Sequence, residues 1–280
     1  MEIKVRVPGS CGELVQGIYQ GEPYLITCPI EAYTEVVVSD SWQGLEGLGE
    51  KSRQALGLAL KYLGEESFPY GMRLKSQLPH GKGMASSSAD IAAVCGAAAA
   101  ALGRKLSPEE ILRLAVAIEP TDPIFFPGLV CANQMEGRIF AQYHTFPRLW
   151  ISIFDTGGRV DTVSFHDHAR QVGAEMPPPV FISGSRQRAE KQLAEAATKS
   201  ALANEAGLPK PCLGELLETA LNKGAFGVNA AHSGTVLGVL WSEAMGEEAI
   251  ANASAAIAEE LPKLKFWGQT RLSSGGIFYE

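Results

Sequence analysis

The chain has 280 residues, of which 46% are hydrophobic and 20% charged, with a formal net charge of -7. This length supports either one large core or two lobes flanking a cleft, and the composition is that of an ordinary globular protein, which excludes disordered and fibrous classes. The acidic balance, with no block of clustered Lys and Arg, excludes a nucleic-acid surface, because binding a phosphate backbone requires cations that replace its counterions.

Along the chain, Lys4–Val7, Tyr24–Cys28 and Thr34–Ser39 are short β-branched or aromatic runs separated by Gly and Pro, which predicts strands joined by turns. Helical spacing of apolar residues predicts a helix over Gly49–Leu63, and alternation of Met72, Leu74 and Leu78 predicts a strand over Gly71–Leu78. Pro79–Asp90 then leads into an alanine-rich helix that stops near Gly103. Ser107-Pro108-Glu109-Glu110 reads as a helix start, with Ser as N-cap, Pro in the first turn and Glu110 closing a capping box. This helix is expected to run to about Glu119, where Pro120, Pro123 and Pro127 forbid its continuation. Strands over Val130–Gln134, Ile139–Tyr143 and Leu149–Phe154 complete a first lobe, residues 1–150. Pro177-Pro178-Pro179 reads as a stiff connector. Helices over Ser185–Ala206, Leu213–Ala225 and Gly246–Glu260, with strands over Gly227–Ala231, Thr235–Trp241, Lys263–Trp267 and Gly276–Phe278, form a second lobe, residues 151–280. The mixture of helices and hairpin-like strands, without long apolar parallel runs or repeats, predicts an α+β fold and not a doubly wound sheet.

The start, Met1–Val7, lacks the basic flank and apolar run of a secretory leader, and the longest apolar tract, Ile91–Leu102, is too short to span a bilayer. Five widely spaced cysteines, Cys11, Cys28, Cys95, Cys131 and Cys212, contain no CxxC pair, which predicts reduced thiols and neither a disulfide framework nor a zinc site. A cytoplasmic enzyme acting on small molecules is the expectation, with no nucleic-acid or membrane partner and a homodimer left open.

Four segments carry residues suited to chemistry. In Pro79–Asp90, glycines precede a run of serines at a helix start, where unpaired N–H groups and the positive helix end suit a polyphosphate. The same segment read alone is equally an ordinary strand-to-helix turn, and it lacks the Gly-Lys-Ser/Thr ending of a Walker A loop. In Val7–Gly17, Glu13 is able to pair with a substrate ammonium, or else to sit solvated in a glycine-punctuated hairpin. Glu119 and Asp122, three residues apart beyond a helix end, suit a divided duty, one holding magnesium and the other accepting a hydroxyl proton, or else belong to an ordinary polar loop. Asn229–Gly238 is a glycine-containing turn between strands in which His232 either approaches a ligand or is a structural residue. Arg271, near Ser273-Ser274-Gly275-Gly276, is a further candidate, as a partner for a substrate carboxylate or else as a surface arginine.

Pro79, Gly83, Met84, Ala85, Ser86, Ser87 and Ser88 resemble the Pro-x-x-x-Gly-Leu-Gly-Ser-Ser-Ala loop of the galactokinase, homoserine kinase, mevalonate kinase and phosphomevalonate kinase (GHMP) superfamily, with Met for Leu, Ala for the second Gly and Ser for the last Ala. Gly9-Ser-Cys-Gly-Glu-Leu-Val-Gln-Gly17 and Glu119-Pro-Thr-Asp122 are similar to segments of its L-threonine kinase branch, which serves cobalamin synthesis. Ser233 and Gly234 match the superfamily's C-terminal glycine motif, with Thr235 in place of an alanine. The resemblance implies a two-lobed fold, with an N-terminal β-α nucleotide-binding lobe and a C-terminal ferredoxin-like α/β sandwich. It implies ATP and Mg2+ as cofactors, with Pro79, Gly81, Lys82, Gly83, Met84, Ala85, Ser86, Ser87 and Ser88 around the nucleotide. Ser87 and Glu119 would hold magnesium and Asp122 would serve as base. Ser10, Cys11, Gly12, Glu13, His232, Ser233 and Gly234 would face the acceptor, and Asp155 or Arg159, in a Phe154–Asp161 segment that also resembles the L-threonine kinase branch, would contact the substrate. The implied activity is phosphorylation of the L-threonine hydroxyl. The alternatives are a kinase for homoserine or another small metabolite, and a catalytically silent nucleotide-binding regulator.

Overall fold

The computed structural model describes residues 1–158, 174–176, 178 and 185–280. Arg159, and Pro177 and Pro179 of the expected connector, lie outside the described residues. The chain opens with two strands of 18 residues, β1 (Glu2–Tyr19) and β2 (Glu22–Ser39), paired antiparallel from end to end. Gln20 and Gly21 close this hairpin, both at positive φ, as a two-residue connection demands. The short runs read from sequence are thus parts of longer strands. Pro8, Gly9 and Gly12 interrupt the β pattern without ending β1, because register shifts between Pro8 and Val15 absorb them as bulges.

After β3 (Leu45–Glu46) come α1 (Glu50–Leu63), β4 (Gly71–Ser76), α2 (Ser86–Ala101) and α3 (Pro108–Val116). Ser107 caps α3 through the full capping box with Glu110, a feature worth about 1 kcal/mol. The regular helix stops three residues short of Glu119, and Ile118 and Glu119 continue it as a hydrogen-bonded turn on the Ala115 carbonyl. Next come β5 (Leu129–Asn133), β6 (Arg138–Tyr143), β7 (Leu149–Asp155), α4 (Arg186–Asn204), α5 (Leu213–Asn222), β8 (Gly227–Ala230), β9 (Val236–Ser242), α6 (Glu247–Glu260), β10 (Lys265–Arg271) and β11 (Phe278–Tyr279).

The described strands form one sheet, running β10-β7-β9-β8-β1-β2-β4-β3, with β5, β6 and β11 attached beside that path. In the C-terminal half, β7, β8, β9 and β10 are the first to fourth strands of a βαββαβ unit, and their spatial order, fourth-first-third-second, is ferredoxin-like. Along the sheet path this half joins the N-terminal half at one residue pair, Glu13 opposite Ala230, and beside that path β11 pairs with β1 and Leu272 bridges to Ile30. One core lies around α2, whose run of alanines lets the helix bed closely on β1 and β2 while α1 and α3 cover it. The other gathers Trp150, Phe154, Val228, Leu237 and Trp241 beneath α5 and α6. Among the described residues, no helix is long and apolar enough to cross a membrane.

Candidate active site

A cleft of about 410 Å³ opens at the N-terminus of α2, beside the seam where β1 meets β8. Gly81, Gly83, Met84, Ala85 and Ser86–Ser88 form one wall. Gly81 and Gly83 take positive φ, and so does Ala85, at 52°. The residue before α2 is left-handed, a conformation that glycine takes without steric cost and alanine does not, so Ala85 in the glycine position of the resembling loop is strained. No side chain caps α2, so the first-turn amides of Ser86–Ser88 have no intrahelical acceptor and are available to an anion.

A second part of the lining is acidic. Glu13, Asp90, Glu119 and Asp122 all line the cleft, with Lys51 from the first turn of α1. Asp122 is fixed through its backbone, its N–H donating to Ser88 Oγ at 3.1 Å, so the loop beyond α3 is tied to the first turn of α2. Thr121 N–H donates to the Gln134 carbonyl at 3.0 Å and Thr121 Oγ1 to the Glu119 carbonyl at 2.9 Å, which holds the two carboxylates at fixed spacing. Burial and the neighbouring Glu119 charge push the Asp122 carboxyl up to about 7. Burial and Asp122 also hold Glu13 well above the usual carboxylate range, against the opposing pull of the His232 amide and Lys210. Asp90 is raised by burial and partly compensated by Thr34 Oγ1, which donates to it at 2.7 Å. Glu119 pairs through Oε2 with Lys51, while its Oε1 is buried without a hydrogen-bond partner.

The third wall comes from the turn between β8 and β9. His232 and Ser233 line the cleft, and the His232 N–H donates to Glu13 Oε2. His232 Nδ1 lies 3.0 Å from Gln16 Oε1. Gly234 lies against the glycine loop, where a Cβ would come within 2.4 Å of Gly83 Cα and Lys82 O. Thr235 and Val236 donate their N–H groups to the Lys82 carbonyl at 3.0 and 3.2 Å. On the other side, the Gly12 N–H donates to the Gly83 carbonyl at 3.1 Å and the Ser10 N–H to the Met84 carbonyl at 3.0 Å. The N-terminal motif and the C-terminal turn thus grip the glycine loop from two directions, through backbone groups that sequence alone does not reveal.

Residues 52–126 match the family described as the GHMP kinases N terminal domain. An L-threonine kinase of Citrobacter freundii is 33% identical over 243 residues, covering 83% of this chain and 84% of that protein. An L-threonine kinase of Salmonella typhimurium is 32% identical over 248 residues, covering 83% and 81%. This chain belongs to the GHMP kinases. A crystal structure of mevalonate kinase superposes with a TM-score of 0.69, covering 96% of this chain and 99% of that one at 14% identity, a likeness of fold. The glycine loop before α2 lies within the matched N-terminal domain.

Within this GHMP kinase, the structure brings Glu13, Gly81, Gly83–Ser88, Glu119, Asp122, His232 and Ser233 to one cleft. Other expected site residues lie behind its walls. Cys11 is fully buried, its thiol pushed up by burial, and its side chain packs toward Gly238. Ser10 is also buried, and with Gly12 it contributes backbone to the loop's support. Gly12 is obligatory on two counts: its φ is +59°, and a Cβ would meet the Ala231 N at 2.5 Å. Pro79 is outside the cleft lining. Lys82 turns its ammonium away, onto Asp155 Oδ2 and the Gly158 carbonyl, both at 2.6 Å. Burial opposes ionisation of Asp155, yet hydrogen bonds from Lys82, Thr235 and Gly157 outweigh it and hold the carboxyl below its ordinary value. Asp155 is thus a structural anchor of the loop, and Arg271 stacks on Trp150 with its guanidinium 4.5 Å from the ring centre, away from the cleft. Sequence reasoning did not single out Lys51, Asp90, Gln16 or Lys210, although Gln16 lies in the N-terminal motif, Asp90 ends the glycine-loop segment and Lys210 is set between Pro209 and Pro211.

Proposed function

We propose that this GHMP kinase transfers the γ-phosphoryl group of ATP to the hydroxyl of L-threonine, giving O-phospho-L-threonine for the aminopropanol linker of cobalamin. The observation that carries the reading is the convergence of Glu13, Glu119 and Asp122 on the uncapped N-terminus of α2, in a chain one-third identical to curated L-threonine kinases. The N–H groups of the loop and of Ser86–Ser88 would receive the phosphates, where the helix dipole favours negative charge. Glu13 suits the acceptor's ammonium, which would relieve the clustering of carboxylates on that side.

The donor set fits magnesium. Glu119 offers a buried carboxylate oxygen without a hydrogen-bond partner, and Ser87 a hydroxyl on the same cleft. Such a donor set suits an ion bound by one or two protein oxygens and completed by phosphates and water. When bound, the ion would neutralise charge on the transferring phosphoryl group. Asp122 is assigned the acceptor hydroxyl. Its raised carboxyl lies near neutrality, where it is able to orient the hydroxyl and accept its proton as the new oxygen–phosphorus bond forms and the bond to ADP breaks. Catalysis on this reading is mainly positioning and electrostatics.

ADP release measured with L-threonine, L-serine and L-homoserine tests the proposal. At least tenfold higher kcat/KM for threonine than for homoserine is expected, about 1.4 kcal/mol of discrimination. Preference for homoserine would overturn the acceptor assignment, and ATP binding without ADP release for any acceptor would identify a silent regulator.

A further inference from the structure

Lys210 lies in the segment between α4 and α5, far in sequence from every motif above, and is 9% exposed. A lysine this buried is uncommon, because its ammonium loses its hydration and must find partners inside the protein. Burial does lower its basicity, with only the negative charge of Glu13 working the other way. Its partners are specific. Nζ donates to the Gly234 carbonyl at 2.6 Å and to the His232 carbonyl at 3.2 Å.

Those carbonyls belong to the turn that carries the third wall of the cleft. The same turn is held from its other side by Glu13, which accepts the His232 N–H. His232 and Ser233 are therefore fixed between an ammonium on their carbonyl side and a carboxylate on their amide side. The Lys210 charge also acts on Glu13, more weakly than burial, Asp122 and the His232 N–H, so one buried cation holds the turn's shape and contributes to the field around the group assigned to the acceptor. The glycine loop also has supports that Lys210 does not touch, the Gly12 and Ser10 N–H groups on the Gly83 and Met84 carbonyls.

We infer that Lys210 is a positioning residue for the acceptor side of the site, holding residues 232–234 against Glu13 without touching the nucleotide. This rests on the phosphorylation of threonine proposed above. The test replaces Lys210 with Met, which keeps most of the length and removes the charge and the donors, and with Gln, which keeps a donor but not the charge. Steady-state kinetics are measured in threonine and in ATP, with Tm recorded for each protein.

For Lys210→Met the KM for threonine should rise about tenfold while the KM for ATP stays within about twofold; Lys210→Gln should lie between Met and the natural residue. Unchanged threonine KM in a folded Lys210→Met protein would overturn the inference. So would a parallel rise in both KM values that follows the fall in Tm, since that marks a purely structural role. If Lys210→Met does not fold, Lys210→Gln decides by the same split: a selective rise in threonine KM supports the inference, and no rise or a parallel rise overturns it. The natural protein is the control for the underlying function. Absence of threonine turnover in it would sink the acceptor assignment, whereas turnover insensitive to Lys210 sinks the positioning role alone.

Discussion

At Ala85 the backbone conformation and the residue type disagree. A left-handed alanine costs roughly 1–2 kcal/mol, of which the greater freedom of glycine in the unfolded chain cancels a part. Ala85→Gly should therefore stabilise the protein by up to about 1 kcal/mol in urea unfolding. Destabilisation would mean that the methyl group contributes packing worth more than the strain. Asp122 shows a second conflict, between stability and use. Its carboxyl is raised from 3.8 to about 7 by burial and Glu119, so the folded state holds a proton that the unfolded state has released between those values. Stability is then full below the unfolded value and declines as pH rises through about 7. Asp122→Asn removes this titration and should raise Tm at pH 8 relative to the natural protein while lowering kcat. A lower Tm at pH 8, or an unchanged kcat, would contradict the assignment.

At the scale of elements, much of the site was legible because it is built from consecutive residues. The capping box at Ser107 and Glu110, the glycine loop running into an alanine helix, and the two carboxylates beyond α3 are local patterns, and each stands where its pattern puts it. The contacts between those elements were not legible. Nothing in the sequence of Asn229–Gly238 says that Gly234 abuts Gly83, or that Lys82 turns to Asp155, since both depend on strands brought together across the sheet. The Gly234 contact yields a prediction. A Cβ there meets backbone and not a flexible side chain, so the glycine loop must shift. Gly234→Ala should weaken ATP binding about tenfold or more, equivalent to roughly 1.4 kcal/mol, in a protein that still folds. Calorimetric titration with an ATP analogue checks it, and unchanged affinity would show that the loop tolerates the displacement.

Across the whole molecule, the sequence conveyed class and approximate element order, but not the continuity of the sheet. Pro8, Gly9, Gly12 and Pro29 suggested breaks, yet bulges carry β1 and β2 through them. Because β1 reaches across to β8, Glu13 stands where the two halves meet, with Asp122 on one side and the His232 turn on the other. Cys11 drew attention as part of the branch-resembling motif, but the bulge at Gly12, at φ +59°, breaks the alternation along β1, so Cys11 enters the core while Glu13, two residues on, faces the cleft. The account thus depends on three distant segments forming one phosphoryl-transfer site. Its most direct measurement is 31P NMR of the purified protein with ATP, magnesium and L-threonine. O-phospho-L-threonine and ADP should appear in equal amounts, and Glu119→Ala should abolish most of the rate while leaving Tm close to that of the natural protein. Release of inorganic phosphate without phosphothreonine, or no turnover at all, would contradict it.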